Sequence, residues 1–357
     1  MFAVEHSASG ASSGDTSSAA NVRDVGTWGD PAAYRAADPT ASMDAVAAQS
    51  KRETVRFMSE GVALSGHMYL PASAKPPGPA VVLCGPMTFV KEQAFAQYAH
   101  RLAGAGFVEL TFDPRSHGQS EGMPRDVEDP LGKAVDVRQA IGYLASRPEV
   151  AAKRIGAVGF CAGSASMLRA TADEPRIRAL TTVAGMYRDH PSDVAVLVSE
   201  SGVTERRERG AKALAAFKAA GEVSYVPAID PTRADVAMVG APVWDWYSKW
   251  AEAGVWPNQY AVMSDALVHG CESLTAAKHV KVPYLMLHSG NSVFPDAARR
   301  HYEGVPAGKE LLWAKLLITS SFMMILSYLI VRPRKWRNGS PGTSRERAVL
   351  TVLRSRS

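Results

Sequence analysis

Hydrophobic and polar positions along the chain alternate between two kinds of stretch. Short continuous apolar runs are separated by polar turns and by longer segments with helical spacing. Arg52 to Met58 and Val62 to Leu70 read as a hairpin pair around the turn residues Ser59, Glu60 and Gly61. After a Pro-rich loop, Ala80 to Cys84 is an uninterrupted apolar run, the pattern of a strand buried on both faces. Gln93 to Ala105 has helical spacing and stops at Gly104 and Gly106. Phe107 to Phe112 predicts a strand, Ala134 to Ala145 a helix, Ile155 to Phe160 a strand, and Ile177 to Val183 another. Strand and helix in regular alternation predict a mostly parallel sheet with helices on both faces, an α/β fold.

From Met186 to about Lys281 the alternation breaks. Charged helical pieces such as Glu205 to Ala220 appear, with an aromatic cluster of Trp244, Trp246, Tyr247, Trp250, Trp256 and Tyr260. This reads as a mostly helical cap inserted over residues 186–281, with the aromatics as cap core, since such stripes usually pack. Val282 to His288 returns to strand, Ala297 to Tyr302 to helix, and Glu310 to Trp313 to a last strand. The core then comprises residues 51–185 and 282–313. Residues 1–50 are rich in Ala, Ser, Gly and Asp without a sustained period, which predicts a disordered leader.

The candidate chemistry lies at the end of the run from Ile155. Gly159-Phe160-Cys161-Ala162-Gly163 joins that strand to a small-residue helix expected over residues 162–172. This is the Gly-x-nucleophile-x-Gly elbow with Cys in the middle. Side chains two positions either side of the nucleophile would collide with neighbouring backbone, and Gly159 and Gly163 remove them. A helix N-terminus beneath the sulfur favours thiolate. The competing reading is a buried core cysteine.

Charge and cysteine usage narrow the class. The net charge of +5 misleads, because the residues from Arg332 onward hold eight Lys or Arg against one Glu. The rest of the chain is slightly acidic, so no nucleic-acid partner is expected. Cys84, Cys161 and Cys271 are far apart in sequence, have no metal-ligand spacing and leave an odd thiol. That pattern favours a reducing compartment over a disulfide framework, and with no signal-like N-terminus the expectation is cytoplasmic.

Several stretches resemble one family. They are Lys91-Glu92-Gln93, the run Phe112-Asp113-Pro114-Arg115-Ser116-His117-Gly118-Gln119-Ser120, Glu128-Asp129-Pro130, Arg154 to Gly163, and Trp256-Pro257-Asn258. Over roughly Arg52 to Trp313 the chain is similar to the α/β-hydrolase superfamily, dienelactone-hydrolase-like branch, including capped bacterial hydrolases. Dienelactone hydrolases also place Cys at the elbow. The resemblance implies a hydrolase or esterase acting on a small-molecule acyl substrate through an acyl-enzyme, with no metal or organic cofactor.

Acyl transfer needs a nucleophile, oxyanion donors, a base and an orienter for the base. Cys161 is the candidate nucleophile. The backbone N–H groups of Ala162 and Met87 are the candidate donors, since Pro86 has none. In related enzymes an acid follows the strand corresponding to Val282 to His288. Here Asn291 stands in that loop, with Asp296 as the alternative, although Asp296 also suits a helix cap. The base is missing. Family order puts the catalytic His after the last strand, yet no His follows His301, which is read as a surface residue.

The tail changes character abruptly. Leu316 to Val331 is apolar and is followed by Arg332-Pro333-Arg334-Lys335. One reading is a membrane segment with a basic flank, though it is shorter than the roughly 20 residues a span usually needs. The preferred reading is a frameshift. Related chains end in a His-containing loop soon followed by Leu-Tyr-Asp. One permitted codon choice for the residues from Lys315, read in another frame, gives two His and then Leu-Tyr-Asp. Three functions therefore stand at this point: a cysteine hydrolase, an acyltransferase or membrane-anchored variant of it, and a catalytically impaired or non-catalytic protein of the same fold.

Overall fold

The computed structural model describes residues 22–24, 50–73, 75–197, 199–239 and 241–314. A single large sheet organises them. In chain order its strands are β1 (Val22–Asp24), β2 (Ser50–Ser59), β3 (Val62–Pro71), β4 (Gly78–Cys84), β5 (Val108–Phe112), β6 (Val150–Phe160) and β7 (Ile177–Val183). Four short strands follow, β8 (Tyr225–Pro227), β9 (Ile229–Asp230), β10 (Met238–Val239) and β11 (Gln259–Ala261), and then β12 (Tyr284–Ser289) and β13 (Lys309–Ala314). The helices are α1 (Phe95–Gly104), α2 (Pro130–Ser146), α3 (Ala162–Asp173), α4 (His190–Leu197), α5 (Glu200–Ala220), α6 (Ala241–Glu252), α7 (Ser264–Val268), α8 (Leu274–Ala277) and α9 (Pro295–Gly304).

The nine-stranded sheet runs β1-β13-β12-β7-β6-β4-β5-β3-β2. Pairs from β1 to β5 along that order are parallel, while β3 pairs antiparallel with both β5 and β2. Consecutive residues of β5 and β12 are all buried, so both faces of the central sheet are covered. β2 alternates buried and exposed residues in its second half, as an edge strand with one wet face does. The hairpin turn uses Glu60 and Gly61, both at positive φ. Helix α2 begins four residues earlier than its apolar periodicity indicates, because Asp129 caps it by accepting from the Leu131 N–H and Pro130 suits the first turn.

The strand order places the site. From β4 the chain moves to β5 on one side, then crosses back to β6 on the other. Loops leaving the C-terminal ends of β4 and β6 diverge there and leave a crevice, the usual ligand position in an open α/β sheet. Gly85 and Cys161 stand at those two ends.

Of the expected leader, Val22–Asp24 forms a parallel edge strand on β13, a long-range pairing that the local composition does not signal. The rest of it lies outside the described residues. Between β7 and β12 the chain builds α4 to α8 and two small sheets, β9 with parallel β10 and β8 with antiparallel β11. The region read as mostly helical thus carries strand as well. The stretch from Lys315, including the apolar run at 316–331, lies outside the described residues. Among the described residues no helix is long and apolar enough to cross a membrane.

Candidate active site

Cys161 occupies the turn between β6 and α3 at φ 50° and ψ −122°, a conformation rarely adopted by a residue with a side chain. Its backbone is held from several sides. The Cys161 N–H donates to the Val183 carbonyl at 3.1 Å, and its own carbonyl accepts from Ser164 at 3.0 Å and Met186 at 2.9 Å. A Cβ on Gly159 would lie 2.6 Å from the Ser164 Cα. A Cβ on Gly163 would lie 2.3 Å from the carbonyl oxygens of both Cys84 and Gly85. These are backbone atoms that a rotamer change cannot move, so the elbow requires both glycines.

Met87 and Ala162 line one cleft, together with Glu128, Met186, Arg169 and Arg188. The Ala162 N–H reaches toward the Cys161 sulfur and works to lower its pKa. Burial works the other way and prevails, pushing the thiol up to about 11. The helix N-terminus therefore does not make this sulfur a thiolate, contrary to the expectation from its position alone. The cysteine rests as a thiol.

Glu128 in the cleft wall belongs to a buried ion pair. The Lys133 ammonium contacts the Glu128 carboxylate, and both side chains are about 2% exposed. Burial alone would neutralise each, but mutual attraction keeps Glu128 below and Lys133 above their ordinary ranges. Glu128 also accepts from the Thr88 N–H at 2.8 Å, and Lys133 reaches the Pro86 carbonyl at 3.4 Å. Both charges act on the Cys161 thiol. Glu128 lies in a stretch that carried the family resemblance. Lys133 had no local signal, because its partners come together only through tertiary packing.

Among the described residues no histidine makes a hydrogen bond or ion pair with Cys161. His288 sits in β12 with its ring against the Ser289 and Gly185 carbonyls, at 3.0 and 3.2 Å. His301 is fully buried, not superficial, and bonds Ser273 Oγ at 2.7 Å and the Ala297 carbonyl at 2.7 Å. The register of α9 turns it inward, which local polarity did not reveal. His269 lies 3.6 Å from the Asp193 carboxylate, and His190 pairs with Glu200. His279 lines a groove beside Lys281 and Pro283, just before β12, whereas Cys161 follows the C-terminal end of β6. His117 is buried with Nδ1 at 3.1 Å from the Arg115 carbonyl and Nε2 without a partner. Burial lowers its pKa to about 4, so it stays neutral.

The two candidate orienters are both exposed. Asn291 lies in the loop after β12, and Asp296 is in the first turn of α9. Among the described residues neither makes a hydrogen bond or ion pair with Cys161 or with a histidine. The aromatic cluster is divided. Tyr247, Trp256 and Tyr260 are buried in the insertion, with Tyr247 and Trp256 rings 5.2 Å apart, and Trp244 and Trp250 pack partly buried against the same core.

Comparison with known proteins agrees with this architecture. Residues 64–197 match the model of the dienelactone hydrolase family. An uncharacterised protein of Pseudomonas aeruginosa is 33% identical over 188 residues, covering 52% of this chain and 50% of that one. The thiohydrolase aneE of Aspergillus aculeatus is 30% identical over 178 residues, 50% of this chain and 54% of its own. The matches thus span about half the length of these relatives. The crystal structure of the α/β hydrolase GrgF from Penicillium superposes with a TM-score of 0.63 at 22% identity, covering 75% of this chain and 91% of that chain. The chain has the α/β-hydrolase fold, and its residues 64–197 are similar to the dienelactone hydrolase family.

Proposed function

We propose that this chain is built to transfer an acyl group from a small ester, lactone or thioester to Cys161 and then to water. The observation that carries the reading is the strained, glycine-flanked Cys161, next in the chain to Ala162, which lines a cleft with Met87. The sulfur attacks the carbonyl carbon, and the tetrahedral oxyanion is received by the Met87 and Ala162 N–H groups. The alcohol or thiol leaves with a proton, and water releases the acid. An acceptor other than water would make the same chemistry an acyltransferase. The name of the fungal thiohydrolase supports a thioester among the candidates.

A second reading rests on the thiol itself. With its pKa near 11, only on the order of 1 part in 10⁴ of Cys161 is thiolate at pH 7. No described histidine is in contact with it, and Asn291 and Asp296 lie exposed. A chain of this composition would acylate slowly, or serve as a non-catalytic member of the fold. With the codon choice that gives two His from Lys315 onward, a restored reading frame would supply a base. The three free cysteines fit the expected cytoplasmic location.

The test is pre-steady-state release of p-nitrophenol from p-nitrophenyl acetate by the chain, by its Cys161→Ala variant, and by a version with the shifted frame restored. A Cys161-dependent burst that accelerates on restoration supports the first reading. Equal rates for all three would reject an enzymatic role for Cys161.

A further inference from the structure

The loop that presents Met87 is held in a strained shape by groups outside the catalytic constellation. Thr88, directly after Met87, lies at φ 57°. A β-branched residue in that region is an outlier, and such strain persists only where surrounding contacts over-determine it. Here they do. The Thr88 N–H donates to Glu128 at 2.8 Å. The Thr88 carbonyl accepts from the Trp256 indole N–H at 2.8 Å. Lys133 contacts Glu128 and reaches the Pro86 carbonyl at 3.4 Å. The peptide groups on both sides of Met87 are thus fixed by Lys133 and Glu128, and the next peptide, after Thr88, by Trp256. All three side chains are buried, Glu128 at 1%, Lys133 at 2% and Trp256 at 2% exposure.

Two of these groups belong to the core and one to the insertion between β7 and β12. The insertion is fastened to the same place at further points. The Glu128 N–H donates to Ser264 Oγ at 3.0 Å, and the Ala261 N–H donates to the Asp126 carbonyl at 2.9 Å. Asn258 anchors the Trp256 segment through both ends of its amide, accepting from the Ile229 N–H at 2.9 Å and donating to the Ile229 carbonyl at 3.0 Å.

We propose that Trp256, with the Glu128–Lys133 pair, acts as a positioning clamp that keeps the Met87 N–H aimed at the oxyanion, so that the insertion governs acyl transfer without touching substrate. This rests on the reading of Met87 and Ala162 as oxyanion donors. Aim matters because hydrogen bonds weaken steeply with misalignment, and a single oxyanion donor is worth about 100-fold or more in rate. Loss of one clamp bond loosens the donor without deleting it.

The test compares two reactions of Cys161 in the full chain and in Trp256→Phe, which keeps a ring in the packing and removes the indole donor. Acetylation by p-nitrophenyl acetate passes through an oxyanion, whereas alkylation by iodoacetamide does not. We expect acetylation to slow about 10-fold while alkylation stays within about 2-fold. We also expect faster amide hydrogen exchange in peptides spanning residues 85–90. Glu128→Gln, where it folds, should show the same selective loss. Rates that fall together would make Trp256 a general packing residue and overturn the clamp, as would an unchanged ratio. If the unaltered chain is alkylated but takes no acetyl group, the oxyanion-site reading itself fails. The exchange measurement then decides the clamp alone, and unchanged protection of residues 85–90 in Trp256→Phe overturns it.

Discussion

Glu109 offers a direct check on the electrostatics of the sheet. It lies in β5 opposite Tyr69 of β3 and Val81 of β4, fully buried, and neither carboxylate oxygen has a hydrogen-bond partner. Burial raises its pKa well above the ordinary carboxylate range. The carboxyl is therefore protonated in the folded chain at pH values where the unfolded chain has ionised it. The sign follows by linkage. Below about pH 4 both states hold the proton and Glu109 is neutral to stability. As pH rises above 4.5 the unfolded state releases its proton first, so stability falls by about 1.4 kcal/mol per pH unit until the folded carboxyl also ionises. Glu109→Gln keeps the shape and one polar group but cannot ionise. Unfolding free energies from urea titrations at pH 5, 6 and 7 should converge at low pH. The variant should gain on the parent as pH rises, by at most about 1.4 kcal/mol per unit and only while the folded carboxyl stays protonated. Parallel curves for the two proteins would refute the argument and mean that Glu109 has a partner or solvent access.

Three further outcomes follow from the same physics. Gly163→Ala puts a Cβ 2.3 Å from two backbone carbonyl oxygens and should destabilise the chain by about 3 kcal/mol, read as a lower urea midpoint. Alkylation of Cys161 by iodoacetamide should rise tenfold per pH unit from pH 7 to 10, with no plateau near the ordinary thiol pKa, because burial holds this thiol up to about 11. Mass-spectrometric labelling rates check it. Asp136 is fully buried and accepts from the Arg115 backbone N–H at 2.9 Å, from two Arg115 guanidinium nitrogens at 3.0 and 2.8 Å, and from Ser59 at 2.6 Å. Asp136→Ala should cost about 3 kcal/mol by urea denaturation, since it strands several donors at once.

Sequence alone determined the features that local chemistry encodes. Apolar-rich runs became β4, β5, β6, β7 and β12, because a strand buried on both faces is apolar at most positions, with Glu109 in β5 and the threonines of β7 as buried polar exceptions. Gly159 and Gly163 marked the elbow, because only glycine tolerates backbone oxygens at 2.3 to 2.8 Å from a would-be Cβ. Turn residues marked Glu60 and Gly61 for the same kind of reason.

Tertiary structure decided what depends on distant partners. It joined Val22–Asp24 to β13, turned His301 inward onto Ser273, and brought Lys133 to Glu128 beneath the Met87 loop. It also reversed the expected state of Cys161. The helix N-terminus that favours thiolate is visible in the sequence, while the desolvation that outweighs it comes from everything packed around the sulfur. Local geometry is written by neighbours in the chain. Charge state is set by the surrounding dielectric, and only the folded arrangement supplies that.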